Sequence, residues 1–143
     1  MNIRPAQPQD QKTITRIIRA AEINPLSLDW RRFVIAEEDS RVIGIGQIKP
    51  HSDGSRELAS IAVIPERRGQ GIGSAIIQHL LALEHGTLYL TCRDQLEAYY
   101  ARFGFRRVER GEMPAYFRRI VPIVNRIAPL FRSRARIIVM KRT

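Results

Sequence analysis

Residues 61–77 read IAVIPERRGQGIGSAII: an apolar run closed by Pro65, three glycines within five positions, and then a helical pattern. Few folds accommodate that order. Pro65 lacks an N–H and ends a strand, while the glycines supply backbone free to take positive φ. The stretch SAIIQHLLALEHG that follows repeats its apolar residues with helical spacing. A glycine-rich turn between strand and helix can bring main-chain N–H groups and the positive end of a helix dipole against a phosphate. It can equally do no more than redirect the chain, so the loop alone leaves both readings open. Two better-known phosphate loops are excluded. A Walker loop needs Lys-Ser/Thr after the last glycine, and Gly73 is followed by Ser74-Ala75. A Rossmann turn needs G-x-G-x-x-G, and this one is G-x-G-x-G.

Around that unit the chain reads as alternating short elements. Ile3–Ala6 is a first strand; Asp10 is placed as the N-cap of a helix carrying Ile14, Ile17, Ile18 and Ala21 on one face. INPLSLDW (23–30) is a loop, RFVIAEE and RVIGIGQIK are strands joined by a tight polar turn, and HSDGS (51–55) is a turn before the strand ELASIAVI. After the loop helix, expected to stop at Gly86, come the strand TLYLTC, the helix QLEAYYARF ended by Gly104, the strand FRRVE and a last strand over 135–142. Hairpins early and helical connections late predict an α+β fold with a mixed sheet. At 143 residues a single domain spanning 1–143 is expected.

Composition narrows the class of protein. No apolar run approaches the roughly 20 residues that span a bilayer, and MNIRPAQPQD has no basic-then-apolar signal layout, so a cytoplasmic protein without a transmembrane segment is expected. Cys92 is the only cysteine, which leaves no intramolecular disulfide and no dedicated cysteine zinc site. The net charge of +10 is confined to residues 102–143, where twelve Lys and Arg face only Glu109 and Glu112. Such a block is either a solvated basic face or a surface for an acidic partner.

Two stretches carry a family likeness. IAVIPERRGQGIGSAIIQHLL is similar to the acetyl-CoA-binding segment of the GNAT superfamily of N-acetyltransferases, V-x-P lead-in included. LEAYYARFGFRRV resembles the family's later segment, with a Tyr four residues before Gly-Phe, and the IRPA…D opening looks like its start. The resemblance covers roughly residues 1–110 and the last strand. It implies a GNAT-like mixed, mostly antiparallel twisted sheet flanked by helices. It also implies acetyl-CoA as co-substrate without a metal, and direct attack of a primary amine on the thioester in a ternary complex. By position, Arg68, Gly69, Gln70, Gly71, Ile72, Gly73 and Ser74 would hold the pyrophosphate. Ile61, Ala62 and Val63 would pair with the pantetheine amides as a neighbouring strand would, because the family splays that strand from its neighbour. Tyr100 takes the place of the family's general acid, with a packed helix aromatic as the alternative.

A base is less evident. Glu57 opens the central strand where some family members place a catalytic glutamate, and the alternative there is an exposed strand-end residue. His51, in the turn before that strand, is a second candidate, and His79 and His85 read as surface residues. Seven residues before Tyr100 the family often has a cofactor-contacting Asn; this chain has Arg93, next to a core-type Cys92.

Between the last two strands stands GEMPAYFRRIVPIVNRIAPLFRSR, residues 111–134. Tyr116, Ile120, Val124, Ile127 and Phe131 line one helical face, widened by Phe117, Val121 and Ile123, with Arg118, Arg119, Asn125 and Arg126 away from it. Pro122 predicts a kink or two short helices. This helical insertion could cover a sheet edge, close over the acceptor, join a homodimer, meet an acidic partner or lie on an anionic membrane. The arginines interleave with an apolar stripe and no nucleic-acid-reading motif is present, which argues against nucleic acid. The identity of the amine acceptor stays open. So do two rival readings: a non-catalytic acyl-CoA-binding regulatory module, and a nucleic-acid-binding protein.

Overall fold

The computed structural model describes residues 1–127 and 136–143. Expectations for Phe131, Arg132, Arg134 and the start of the last strand at Ala135 therefore lie outside the described residues. Two compact units make up the chain, Met1–Lys49 with Leu58–His85, and Pro50–Glu57 with Gly86–Thr143. Seven strands hydrogen-bond in the order β1-β2-β3-β4-β5-β7-β6: β1 Asn2–Pro5, β2 Phe33–Glu38, β3 Arg41–Pro50, β4 Arg56–Val63, β5 Leu88–Arg93, β6 Arg106–Val108 and β7 Ile137–Arg142. The β1–β2, β2–β3, β5–β7 and β6–β7 pairs are antiparallel. β4 meets β5 in parallel at Glu57↔Tyr89, within the second unit. Four α-helices are present among the described residues: α1 Gln11–Ala20, α2 Ile72–Leu83, α3 Glu97–Ala101 and α4 Ala115–Ile127. The mixed, mostly antiparallel α+β sheet read from the sequence is what the chain adopts, helical insertion before the last strand included.

In the first unit, α1 buries Ile14, Ile17 and Ile18 against Phe33, Ile35 and Ile45 of β2 and β3. Asp10 stands at the expected N-cap position of α1. Its carboxylate gives α1 no bond; it accepts from the Gln7 N–H and from the Arg4 guanidinium, each at 2.8 Å. The Arg4 bond holds the Asp10 carboxyl below the usual carboxylate range. Asp39 and Ser40, with φ of 51° and 61°, turn β2 into β3 in two residues, the twist-matched form of a hairpin turn. Helix α2 ends at Leu83 with Glu84 extended, so Gly86 lies beyond the end rather than making it.

Two glycines that belong to no motif, Gly44 and Gly46 of β3, set the distance between α2 and the sheet. A Cβ on Gly44 would lie 2.8 Å from Ile76 Cδ1, and one on Gly46 would lie 2.7 Å from both Ile61 Cδ1 and Ile76 Cγ2. Ile76 is fully buried and has nowhere to move. Gly46→Val is therefore expected to overpack this interface and cost about 1–3 kcal/mol. A thermal melt should show Tm lowered by roughly 3–10 °C; an unchanged Tm would mean that α2 does not sit this close to β3.

In the second unit, α4 packs Phe117 and Val121 on Val108 and Val139. The buried line runs through Phe117 and Val121, within the expected apolar face, while Tyr116, Ile120 and Val124 beside it are half-buried. Ile123 and Ile127 are exposed. Asn125, expected away from the apolar face, brackets the start of β7: its Oδ1 accepts from the Ile137 N–H at 2.8 Å and its Nδ2 donates to the Ile137 carbonyl at 3.2 Å. Helix α4 runs through Pro122 as one helix, not two. No described helix is long and apolar enough to cross a membrane.

Candidate active site

The glycine loop takes the form the sequence requires. After β4, Pro65–Arg67 makes one short 3-10 turn. Arg68 then donates from Nε to the Val63 carbonyl at 3.2 Å, and Arg67 donates to the Gln70 side chain at 2.9 Å. These bonds brace the loop from inside. Gly69 and Gly71 sit at φ of 74° and 81°, in the left-handed region, and nothing lies within 4 Å of where their Cβ atoms would be. The protein itself does not need that space for packing; only the conformation demands glycine. α2 starts at Ile72, and the Ala75 N–H bonds the Gly71 carbonyl at 3.0 Å. The N–H groups of Ile72 and Gly73 therefore precede the helical ladder and point out of the helix end. Ile72 contributes only main chain there, because its side chain is buried. Gly73 and Ser74 belong to the first turn of α2 rather than to the loop proper. A cleft of about 670 Å³ in the same unit is lined by Val63, Ile64, Pro65 and Arg68 together with Thr13 and Arg16 of α1.

Ile61, Ala62 and Val63 form the last three residues of β4, with Ala62 buried. Ser60, just before them, has φ of 59° inside the strand. A left-handed residue in a strand re-aims the backbone that follows it, and such kinks recur beside active sites. The fully buried Gln47 braces it, donating from Nε2 to Ser60 Oγ at 2.9 Å. Sequence reading had no means of finding Ser60, since serine is ordinary in a strand.

Glu57 is not the exposed strand-end residue offered as its alternative. It is 7% exposed, and its Oε1 lies 2.7 Å from His51 Nε2. The His51 ring is stacked on Tyr116, centroids 3.6 Å apart at 18°, with the edge of Phe117 at 5.7 Å. The two residues considered separately as bases therefore form one buried pair, roofed by an aromatic of α4. Below them Asp53 accepts from the Tyr116 N–H at 2.9 Å, and from the Ser55 N–H and hydroxyl. Those three bonds, the Ser55 hydroxyl first, hold its carboxyl down at about 2.

Tyr100 stands on α3, edge-on to Tyr99 at 5.1 Å and to Phe105 at 6.4 Å. Gly104, at φ of 91°, closes the helix and returns Phe105 to donate to the Tyr100 carbonyl at 3.4 Å. Burial pushes the Tyr100 hydroxyl up to about 12, with Cys92 and Tyr99 adding to it. The group is a proton donor throughout the neutral range. Cys92 is a buried thiol, raised to about 11 mainly by burial and set 3.9 Å from Met140 Sδ. It is a core residue, not a nucleophile. Arg93 is exposed at the end of β5. Among the described residues no group of three or more His, Cys, Asp or Glu is placed to hold a metal ion.

Comparison with known proteins gives this arrangement a family. Over 50 residues, 34% of this chain, the sequence is 44% identical to the L-2,4-diaminobutyric acid acetyltransferase of Nocardia farcinica, and the match covers 26% of that protein. The chain thus spans about a quarter of the curated relative it matches. Among solved structures it resembles Rv2747 from Mycobacterium tuberculosis in complex with CoA and NLQ, with a TM-score of 0.74 and 20% identity over 100% of this chain and 99% of that one. N-acetylglutamate synthase from Neisseria gonorrhoeae, complexed with coenzyme A and N-acetyl-glutamate, gives a TM-score of 0.72 at 20% identity, over 99% of this chain and 34% of that one. The ribosomal-protein-S18-alanine N-acetyltransferase from Escherichia coli gives 0.67 at 20%, over 99% and 92%. At those identities the structural likeness speaks for the fold. The family model of the acetyltransferase (GNAT) domain matches residues 29–107, which hold β2 to β5, the start of β6, the glycine loop, Glu57 and Tyr100. With that model matching more than half of the chain and the same fold built around the loop, the chain belongs to the GNAT family of acetyltransferases.

Proposed function

We propose that this chain is an acetyl-CoA-dependent N-acetyltransferase, acting as a single domain on a primary amine by direct attack. The observation that carries the reading is the loop: two left-handed glycines with open space above them, delivering unladdered N–H groups at the start of α2. A dianionic pyrophosphate suits that array, because backbone N–H groups and the helix dipole both favour negative charge there. Arg68 and Gln70 complete the cradle, and Ile61, Ala62 and Val63 offer strand-edge groups to the pantetheine amides.

In the reaction the amine nitrogen forms a bond to the thioester carbonyl carbon and the C–S bond breaks. Glu57 takes the proton that leaves the nitrogen, directly or through water. Tyr100 gives a proton to the sulfur and recovers one from solvent. No covalent enzyme intermediate is needed, which fits the inert Cys92. The acceptor is a small amine or an exposed amino group. The named acetyltransferase relative and the amino-acid derivatives bound in the structural neighbours put amino acids first among acceptors to try.

The test is a turnover screen with acetyl-CoA against L-2,4-diaminobutyrate, L-glutamate, L-lysine, spermidine and peptides with free N-termini, following release of free thiol. At least one acceptor should give thiol release above the rate with acetyl-CoA alone. Tight CoA binding with no turnover on any class would replace the enzyme reading with a non-catalytic acyl-CoA-binding module.

A further inference from the structure

We propose that His51 is the positioning residue of this site, presenting the Glu57 carboxylate to the acceptor, and that the first turn of α4 holds His51 in place. The proposal rests on the reading of Glu57 as base. A carboxylate this deeply buried requires a hydrogen-bond partner to stay charged, and His51 Nε2 at 2.7 Å is the partner it has. An imidazole suits the task because its flat faces can be gripped by aromatics while one edge still donates. Tyr116 lies flat on one face and Phe117 meets the ring edge-on. A long flexible donor would not be held in that way.

The grip is itself fixed from two sides. The turn closes on itself, with the His51 N–H donating to the Ser55 carbonyl at 2.9 Å and the Gly54 N–H to the His51 carbonyl at 3.0 Å. Asp53 in that turn then accepts the Tyr116 N–H, one of the orphan donors at the start of α4. A carboxylate at a helix N-terminus is a stabilising contact, so turn, helix start and stack hold one another. The basic amphipathic segment thereby gains a role in the chemistry: its first turn is the backstop of the base.

The arrangement dictates a tautomer. With its proton on Nε2, His51 donates to Glu57 Oε1 and leaves Oε2 to take the proton of the amine. With its proton on Nδ1 instead, Nε2 would have to accept from a protonated Glu57, and the base would be spent. The titratable groups facing the ring are Glu57 from β4, Asp53 from the turn and Tyr116 from α4. Asp53 stays charged down to about 2, and burial together with the Glu57 charge holds the Tyr116 hydroxyl above the ordinary tyrosine range. Neither changes charge between pH 4 and pH 9.

Three variants and one spectrum test this. His51→Phe keeps a ring on Tyr116 but removes the donor. It should lower kcat by about 10- to 100-fold with KM for acetyl-CoA unchanged. His51→Gln restores a donor, so it should keep kcat within a few-fold of wild type. Glu57→Gln should lose activity whatever His51 does. Kinetics are run with acetyl-CoA and whichever of L-2,4-diaminobutyrate, spermidine or L-lysine is acetylated fastest. Independently of any acceptor, ¹⁵N NMR of the resting protein should show the His51 proton on Nε2 at neutral pH. A His51→Phe protein that folds, by thermal melt, and keeps wild-type kcat overturns the positioning role while leaving Glu57 as base. Wild-type kcat in Glu57→Gln overturns the base reading and this inference with it. An Nδ1–H tautomer overturns the inference even if His51→Phe does not fold.

Discussion

Gly71→Val should lose CoA binding by 100-fold or more while the protein stays folded. Gly71 holds φ of 81° and ψ of 8° as the residue before α2, a conformation that costs an L-residue about 1–2 kcal/mol and a β-branched one more. That strain is the whole cost to the fold, because nothing in the protein lies within 4 Å of the added Cβ. The ligand is affected differently. The side chain would project into the space that the pyrophosphate needs, and each charge-assisted N–H bond lost is worth about 1.5–3 kcal/mol. Two such bonds correspond to at least 100-fold in affinity. Gly54→Val is the matched control, with φ of 86°, open space around its Cβ and a place in another turn. It should pay similar strain and leave CoA affinity unaltered. Calorimetric titration of CoA into both variants, beside thermal melts, separates the two effects. Equal CoA affinity for wild type and a folded Gly71→Val protein would remove the loop from the cofactor site.

Tyr100→Phe should reduce kcat by roughly 100-fold, the scale of one general acid, with affinity for acetyl-CoA and Tm near wild type. The ring contacts to Tyr99 and Phe105 survive the exchange, and only the hydroxyl goes. That hydroxyl is pushed up to about 12, mainly by burial. Wild-type enzyme should therefore show no basic limb attributable to Tyr100 below about pH 11: the acid form persists as pH rises through the neutral range and is lost only near 12. Steady-state kinetics with thiol detection on both proteins make the comparison. Wild-type turnover in Tyr100→Phe would reduce the residue to a packing aromatic.

How much of this was legible beforehand follows from how local each feature is. The strand–loop–helix unit at 61–83 and the glycine at 104 could be read directly, because positive φ, a strand-ending proline and helical periodicity are properties of a few consecutive residues. The paired early strands were legible for the same reason. Details that depend on what lies opposite were not. Asp10 stands at the N-cap of α1 as its type suggested, but its carboxylate turns to Arg4 and Gln7 rather than to the helix. Asn125 looked like a surface residue and anchors β7, twelve residues away.

The site divides along the same line. The amino-acid sequence by itself determined the glycine-rich turn from strand to helix, the position of Tyr100 and the presence of a carboxylate at the head of β4. Only the tertiary structure decided that Glu57 is buried and bonded to His51, that Tyr116 from α4 covers the pair, and that Ser60 bends β4 just before its last three residues. The physical reason is that burial and hydrogen-bond partnership are pairwise quantities. Asp53 and Tyr116 are 63 residues apart along the chain, and nothing in either neighbourhood records that folding closes that distance.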